Sequence, residues 1–335
     1  MKRKNLILIS LSILFVTSCH KNSRFEIDTN QNRYTVKIHR FDRDLLSLNQ
    51  KTMDKSLKKL YNDYPVFLPL FAYEIMDTTA RDTSAVKSLV SKFLNDTAFT
   101  KSNRKALDTF NDISDIEKDV SDAYSYIHYY FPEVKLPELY FFVSGFNRSI
   151  IMNNTIIAIG TDFYLGSDYP AYLGLNYKYM TVNMKRECLT TDLVSATLFR
   201  IFRINSSQYR LLDNMLFRGK VLYLMSVFMP NEKSEKIIGY TPDQLKWSEG
   251  MEKQIWASII DQKHLFSTDV MLIQKYINDA PFTAPISQDS PGRLGTWIGF
   301  QIVCSYMKHN PNVSLRDLMN DNNYQKMLEQ SDYRP

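Results

Sequence analysis

Five histidines, His20, His39, His128, His264 and His309, are the residues best suited to bind zinc or to move protons near neutral pH. No two stand three to five residues apart, so no helix can present paired imidazoles to a metal as His-Glu-x-x-His does. A metal site would have to be assembled from distant positions such as His128, His264 and carboxylates. Of the three cysteines, Cys188 lies beside Glu187 with no neighbouring histidine to take its proton. No Gly-x-Ser-x-Gly elbow, Walker loop or Gly-x-Gly-x-x-Gly occurs. The first glycine is Gly145, and phosphate loops need glycine for positive φ and close backbone approach. The expectation is therefore no catalytic residue, no metal ligand and no cofactor.

The amino terminus carries a different chemistry. Lys2-Arg3-Lys4 precedes eleven uncharged, mostly apolar residues from Leu6 to Val16, and then Val16-Thr17-Ser18-Cys19. A basic segment, a short apolar segment and small residues before a cut describe a secretory signal, here residues 1–18. Eleven apolar residues fall short of the roughly 20 that span a bilayer. The ending resembles a bacterial lipobox, whose cysteine is acylated and becomes the first mature residue. Cys19 is thus the expected lipidation site, a palmitate-type anchor into a membrane. Residues 19–33 are polar without an apolar period and read as a flexible tether. Removing Lys2, Arg3 and Lys4 lowers the net charge from +5 to +2, which excludes a nucleic-acid surface driven by bulk charge.

The body, residues 34–335, contains no Pro/Ser/Gly linker and reads as one mainly helical domain. Thr35-Val36-Lys37-Ile38-His39 alternates β-branched and polar residues and predicts a strand over Tyr34 to Arg40. Ile113, Ile116, Val120, Tyr124, Ile127 and Phe131 form one helical stripe opened by acids and closed by Pro132. Leu139 to Val143, Ser149 to Met152 and Ile156 to Ile159 are β-formers, with Asn153-Asn154 as a turn. Together these predict an α+β, predominantly helical fold with a small central antiparallel sheet between two helical halves. Later helices are expected over Thr191 to Phe202, Ser206 to Met229, from Thr241-Pro242-Asp243-Gln244, over Thr268 to Asp279, and over Leu294 to Lys308, with a last one capped at Ser314. Trp247, Glu252 and Trp256 are read as sharing a helix. Gly295 and Gly299, four apart, predict a close helix contact. Cys188 and Cys304 fall in apolar helical patterns and read as buried thiols. The three-proline loop Pro281 to Pro291 is long, and with Phe282, Thr283, Arg293 and Trp297 it is the expected partner surface.

Many separated blocks in one order carry a resemblance. They include the lipobox, Ile38-His39-Arg40-Phe41-Asp42-Arg43-Asp44, Tyr64-Pro65-Val66-Phe67, Phe163-Tyr164-Leu165-Gly166, Gly219-Lys220-Val221-Leu222-Tyr223, Gly239 to Trp247, Pro281-Phe282-Thr283, Ser290 to Val303 and Tyr333-Arg334-Pro335. This order is similar to the gliding-motility lipoprotein GldB family of Bacteroidota over nearly the whole mature chain. The resemblance implies a non-catalytic cell-envelope lipoprotein that works with the gliding machinery and type IX protein secretion. Its partners would be the membrane, through the lipid, and envelope proteins of that apparatus. No small-molecule substrate is indicated. The basic residues after Cys19 favour a periplasm-facing anchor, with inner or outer membrane open. The resemblance also suggests a distant relation to zinc metallopeptidases; where their metal helix would fall, Asp192 to Phe199 contains no histidine. That implies a degenerate zincin-like scaffold. Two other readings stay open: a zinc-dependent peptidase-like hydrolase with an unrecognised site, and a solute- or glycan-binding lipoprotein.

Overall fold

The computed structural model describes residues 23–79, 82–205 and 209–335. The expected signal and the lipidation site Cys19 lie outside the described residues. Thr35 to His39 does not form the full predicted strand. The amides of Tyr34 and Val36 donate to the Ser125 and Ser121 hydroxyls, and that of Ile38 donates to the Glu117 carboxylate. These acceptors are four residues apart on the helix Ser114–Tyr130, so one helical face takes the alternate N–H groups a strand partner would have used. Only Ile38–His39 is left as strand β1. The tether is also shorter than expected, because Ser23 to Arg33 lies against the body. Phe25 is buried edge-on against Tyr130, and the Arg24 guanidinium donates to the carbonyls of Met307 and Val313.

Five helices follow β1: α1 (Phe41–Leu46), α2 (Met53–Asp63), α3 (Phe67–Met76), α4 (Thr83–Asn95) and α5 (Thr97–Thr109). Next come α6 (Ser114–Tyr130) and the strands β2 (Glu138–Phe142), β3 (Ile150–Met152) and β4 (Ile156–Gly160). The strand order is β1-β2-β4-β3, with β1/β2 and β2/β4 parallel and β3/β4 antiparallel. The fold is α+β and predominantly helical as expected, but the sheet is mixed rather than antiparallel. The Asn153-Asn154 turn does join β3 to β4, with the Asn153 side chain accepting from the amides of Thr155 and Ile156. The β2/β4 pairing skips over this hairpin, and its sign was already in the composition. Both strands are apolar without alternation, as strands buried on two faces must be.

Those two faces have different neighbours. Tyr140, Phe142, Ile156 and Ala158 pack with the helices before the sheet, around Phe41, Phe67 and Phe71. Leu139, Phe141, Ile157 and Ile159 pack with Phe110, with α6 and with the helices after the sheet. The second layer comprises α7 (Lys178–Thr181), α8 (Leu189–Ile201), α9 (Leu211–Phe228), α10 (Ser234–Ile238), α11 (Pro242–Gly250), α12 (Glu252–Asp261), α13 (Val270–Ile277), α14 (Leu294–His309), α15 (Leu315–Asn320) and α16 (Tyr324–Ser331). Trp247 and Trp256 do not share a helix: the chain breaks at Met251 between α11 and α12. The capping boxes at Thr241 and Ser314 form as the sequence predicts. Cys188 and Cys304 are free thiols.

At the centre of this layer, α9 crosses α14 at Gly219 and Gly299. A methyl group on Gly299 would overlap the Met215 carbonyl, and one on Gly219 would overlap the Gly299 carbonyl. Beside the crossing, the fully buried Lys220 donates from Nζ to the Asp321 carbonyl and lies 4.7 Å from the centre of the Tyr324 ring. Burial pushes the Lys220 ammonium down to about 8, with the Asp321 charge acting the other way.

Two outcomes follow for unfolding titrations. Gly299→Ala should destabilise by about 3 kcal/mol through backbone overlap. Gly250→Ala, where an added Cβ meets nothing within 4 Å, should change stability by less than about 1 kcal/mol. Equal effects would remove the crossing as the cause. For Lys220, the unfolded chain holds the proton more tightly between pH 8 and 10.5, so native stability should rise across that window. Lys220→Met should abolish that rise, which is worth at most about 3 kcal/mol. An unaltered slope in the variant would refute the assignment.

Candidate functional site

The loop from Ala280 to Gly292 is knotted from within. The Thr283 hydroxyl donates to the Pro291 carbonyl (2.8 Å) and accepts from the Leu294 amide (3.2 Å), so it caps α14 from eleven residues upstream. The Thr283 amide donates to the Ser290 hydroxyl, and the Tyr240 hydroxyl donates to the Gly292 carbonyl at 2.7 Å. Thr283 and Trp297 are therefore wholly interior, at 0% exposure, and are not surface residues as expected. The Thr283 hydroxyl closes the loop, and the Trp297 indole is part of the core cluster. Phe282 and Arg293 are half-buried.

Arg293 is the residue on which the surroundings converge. Its backbone is left-handed (φ 60°), a conformation that costs energy outside glycine and that begins α14 with the side chain turned back. Nε meets Asp279 Oδ1 at 3.0 Å and Nη2 donates to the Gly239 carbonyl at 2.7 Å. The guanidinium stands 5.7 Å from the centre of the Tyr240 ring. A Cβ at Gly239 would come within 2.7 Å of Nη2, so the approach requires glycine there. The Asn183 amide donates to the same Gly239 carbonyl at 2.8 Å, which joins the segment before α8 to this cluster.

Asp192, in the first turn of α8, faces Arg293. Its carboxylate accepts from the Tyr164 hydroxyl at 2.8 Å. Asp192 keeps solvent access. Desolvation lifts its carboxyl to about 6, while the Tyr164 bond and the Arg293 charge pull the other way. Burial pushes the neighbouring Cys188 thiol up to about 11, so it is protonated near neutrality and is a poor nucleophile. Arg218, on α9, is half-buried beneath the same field and lies 5.7 Å from the centre of the Phe199 ring. Among the described residues it forms no ion pair. Burial and the Arg293 charge lower its affinity for the proton, and Asp279 restores part of it.

His20 lies outside the described residues, and the four described histidines are scattered and engaged. His39 stacks on Tyr140, His128 lies against Tyr34, Nδ1 of His264 meets the Tyr276 hydroxyl at 3.0 Å, and His309 is bonded to Ser305. Among the described residues, no group of three or more His, Cys, Asp or Glu could hold a metal ion. A shallow open depression is lined by Tyr177, Lys178, Tyr179, Val182 and Pro281, whose chain neighbours Asn183 and Asp279 belong to the Gly239–Arg293 cluster. What its lining offers a ligand is apolar contact and the Lys178 ammonium. A second depression, lined by Asp119, Asp122 and Glu232 among others, has part of its charge cancelled by Lys118 and Arg33.

Sequence reasoning reached Arg293 but not Asp192, Tyr164, Arg218 or the Tyr177 segment as members of one site. Tyr164, Gly239 and Arg293 lay in three of the blocks that carried the resemblance, and their meeting here is the signal that the blocks contained.

Asp192 supplies a pH test. Its native pKa stands above the ordinary carboxylate value, so the native state takes up the proton more readily than the unfolded chain. The stability contributed by that proton is complete below about pH 4 and is lost as pH rises through 6. In urea titrations from pH 4 to 7, Asp192→Asn should remove that decline; parallel profiles for variant and parent would contradict it.

Compared with known families, residues 22–335 match the model of the gliding motility protein GldB. No curated protein and no solved structure matches significantly. With nearly the whole chain covered, and with Tyr164, Gly239 and Arg293 assembled from separate matching blocks, the protein belongs to the GldB gliding motility family.

Proposed function

We propose that this protein is a lipid-anchored, non-catalytic component of the cell envelope that supports the gliding apparatus and type IX secretion through contacts with other envelope proteins. The observation that carries the reading is the family match, which begins at residue 22, three residues beyond the lipobox cysteine Cys19. Among the described residues no helix is long and apolar enough to cross a membrane, so an acyl chain on Cys19 would supply the attachment. A protonated thiol, dispersed histidines and an unpaired guanidinium favour recognition over bond-breaking at the Arg293 cluster. The anchor faces the periplasm in this reading.

The test is a deletion strain complemented with either the parent chain or Cys19→Ala. Deletion should abolish colony spreading and reduce type IX cargo export, and the parent should restore both. Cys19→Ala should be lost from the membrane fraction and restore neither. Normal spreading and export by the deletion strain would overturn the proposal.

A further inference from the structure

The chain is pinned to the body close to its expected anchor. Arg24 donates to the carbonyls of Met307 and Val313, the Phe25 carbonyl accepts from the Tyr130 hydroxyl at 3.0 Å, and the Phe25 ring is buried against Tyr130. Arg24 stands five residues after Cys19, a reach of about 18 Å when fully extended. A tether running over all of residues 19–33 would reach about 50 Å and leave the body free to turn. The shorter one fixes which part of the body stays near the lipid.

That part is one end of the helical layer. α6 ends at Tyr130, α9 at Phe228 and α14 at His309. Tyr130 stacks on Phe228 at 6.3 Å, and Arg24 reaches α14 through Met307, so three helices finish together around the pinned segment. The opposite end of α9 is marked by the Leu211 and Leu212 amides, which donate to the Ser267 and Leu265 carbonyls. At about 1.5 Å per residue, α9 puts about 27 Å between these ends, more than the tether spans.

The near end also has the side chains of a bilayer interface. Tyr129 is 52% exposed, its ring edge-on to Tyr130 at 5.0 Å. Arg24, Lys308 and His309 are exposed around the same segment, as is the Pro311-Asn312 turn between the two carbonyls that hold Arg24. A tyrosine ring and a long cationic side chain each join an apolar body to a polar tip, which suits them to the level of lipid headgroups. Acids in the neighbouring depression are engaged, Asp122 with Arg33 and Lys118 and Glu232 with Lys236, which reduces their repulsion of lipid phosphates. We propose that this end of the molecule, with Tyr129, Lys308 and the Pro311-Asn312 turn, rests on the headgroups of the bilayer that holds the anchor, and that the Phe266 end points away from it. The inference rests on the reading of Cys19 as an acylated anchor and adds which face of the body the membrane covers.

The test places the photo-crosslinker p-benzoylphenylalanine in the full chain, expressed with its own signal in the deletion strain, in place of either Tyr129 or Phe266. The two rings are equally exposed, at 52% and 50%, so folding is not at stake at either. After irradiation of membranes, mass spectrometry should find at least about ten-fold more lipid adduct from the Tyr129 position than from Phe266. Equal yields, a reversed ratio, or no lipid adduct from either position in membrane-bound protein would overturn the proposal. Contact is separated from mere nearness by a probe at Pro311, whose yield should fall at least about two-fold when Tyr129→Asp and Lys308→Glu are combined in protein that stays membrane-bound. An unchanged yield there would also overturn it. Equal yields at both ends of a chain whose Cys19→Ala variant is released from the membrane would sink this inference alone. Membrane retention of Cys19→Ala would instead sink the anchored reading, and this inference with it.

Discussion

Two helices, α9 and α14, cross with backbone against backbone, and the second half of the molecule is arranged around that contact. Gly219 and Gly299 meet where any Cβ would overlap a carbonyl, so the axes approach more closely than side chains would permit. Proximity of this kind removes two long, mostly apolar helices from water together and makes their relative position insensitive to rotamer changes. The residues just outside the crossing inherit its geometry. Arg218 precedes Gly219 on one helix, and Arg293 begins the other. Their shared electrostatic field thus follows from a contact in which neither takes part. Lys220, on the far side, is enclosed among the same helices and finds only a carbonyl and an aromatic ring.

The sheet divides the remainder. Because β2 and β4 are parallel neighbours buried on both faces, alternate residues serve different cores: Tyr140 and Phe142 the first helical layer, Leu139 and Phe141 the second. The end of β4 is tied down by Asp162, whose Oδ2 accepts from the Ser144 and Phe146 amides and the Ser144 hydroxyl while Oδ1 has no partner. That carboxyl, raised by complete burial, holds the turn after β2 and places Tyr164 two residues on, within reach of Asp192. A fixation on the sheet is transmitted in this way to the candidate site.

Arg293 unites three regions far apart in the chain. It takes a strained left-handed backbone, pairs with Asp279, and reaches the Gly239 carbonyl that Asn183 also uses. The three-proline loop, read from sequence as a partner surface, serves instead as the clasp that positions this residue. Thr283 and Ser290 spend their hydroxyls inside it. The more exposed surface lies across the depression on the Leu173 to Met180 segment, where no motif announced it.

Local pattern was sufficient wherever a feature depends on neighbours within a few turns. The α6 stripe, the capping boxes at Thr241 and Ser314, the Asn153 turn and the glycine spacing of α14 are consequences of helical and turn stereochemistry, which act over short stretches of chain. The family, too, was legible, because its blocks are read in order along the chain. Tertiary structure decided what depends on partners far away in sequence. Val36 gives up its strand bond because Ser121 on α6 competes for the amide. The sheet is mixed because β4 pairs across the hairpin with β2. Trp297 is interior because its helix packs into the core around α9. Asp192 acquires a raised pKa, and Arg218 an unpaired charge, only when α8, α9 and α14 come together, since desolvation and Coulomb energy are properties of the surroundings rather than of the residue.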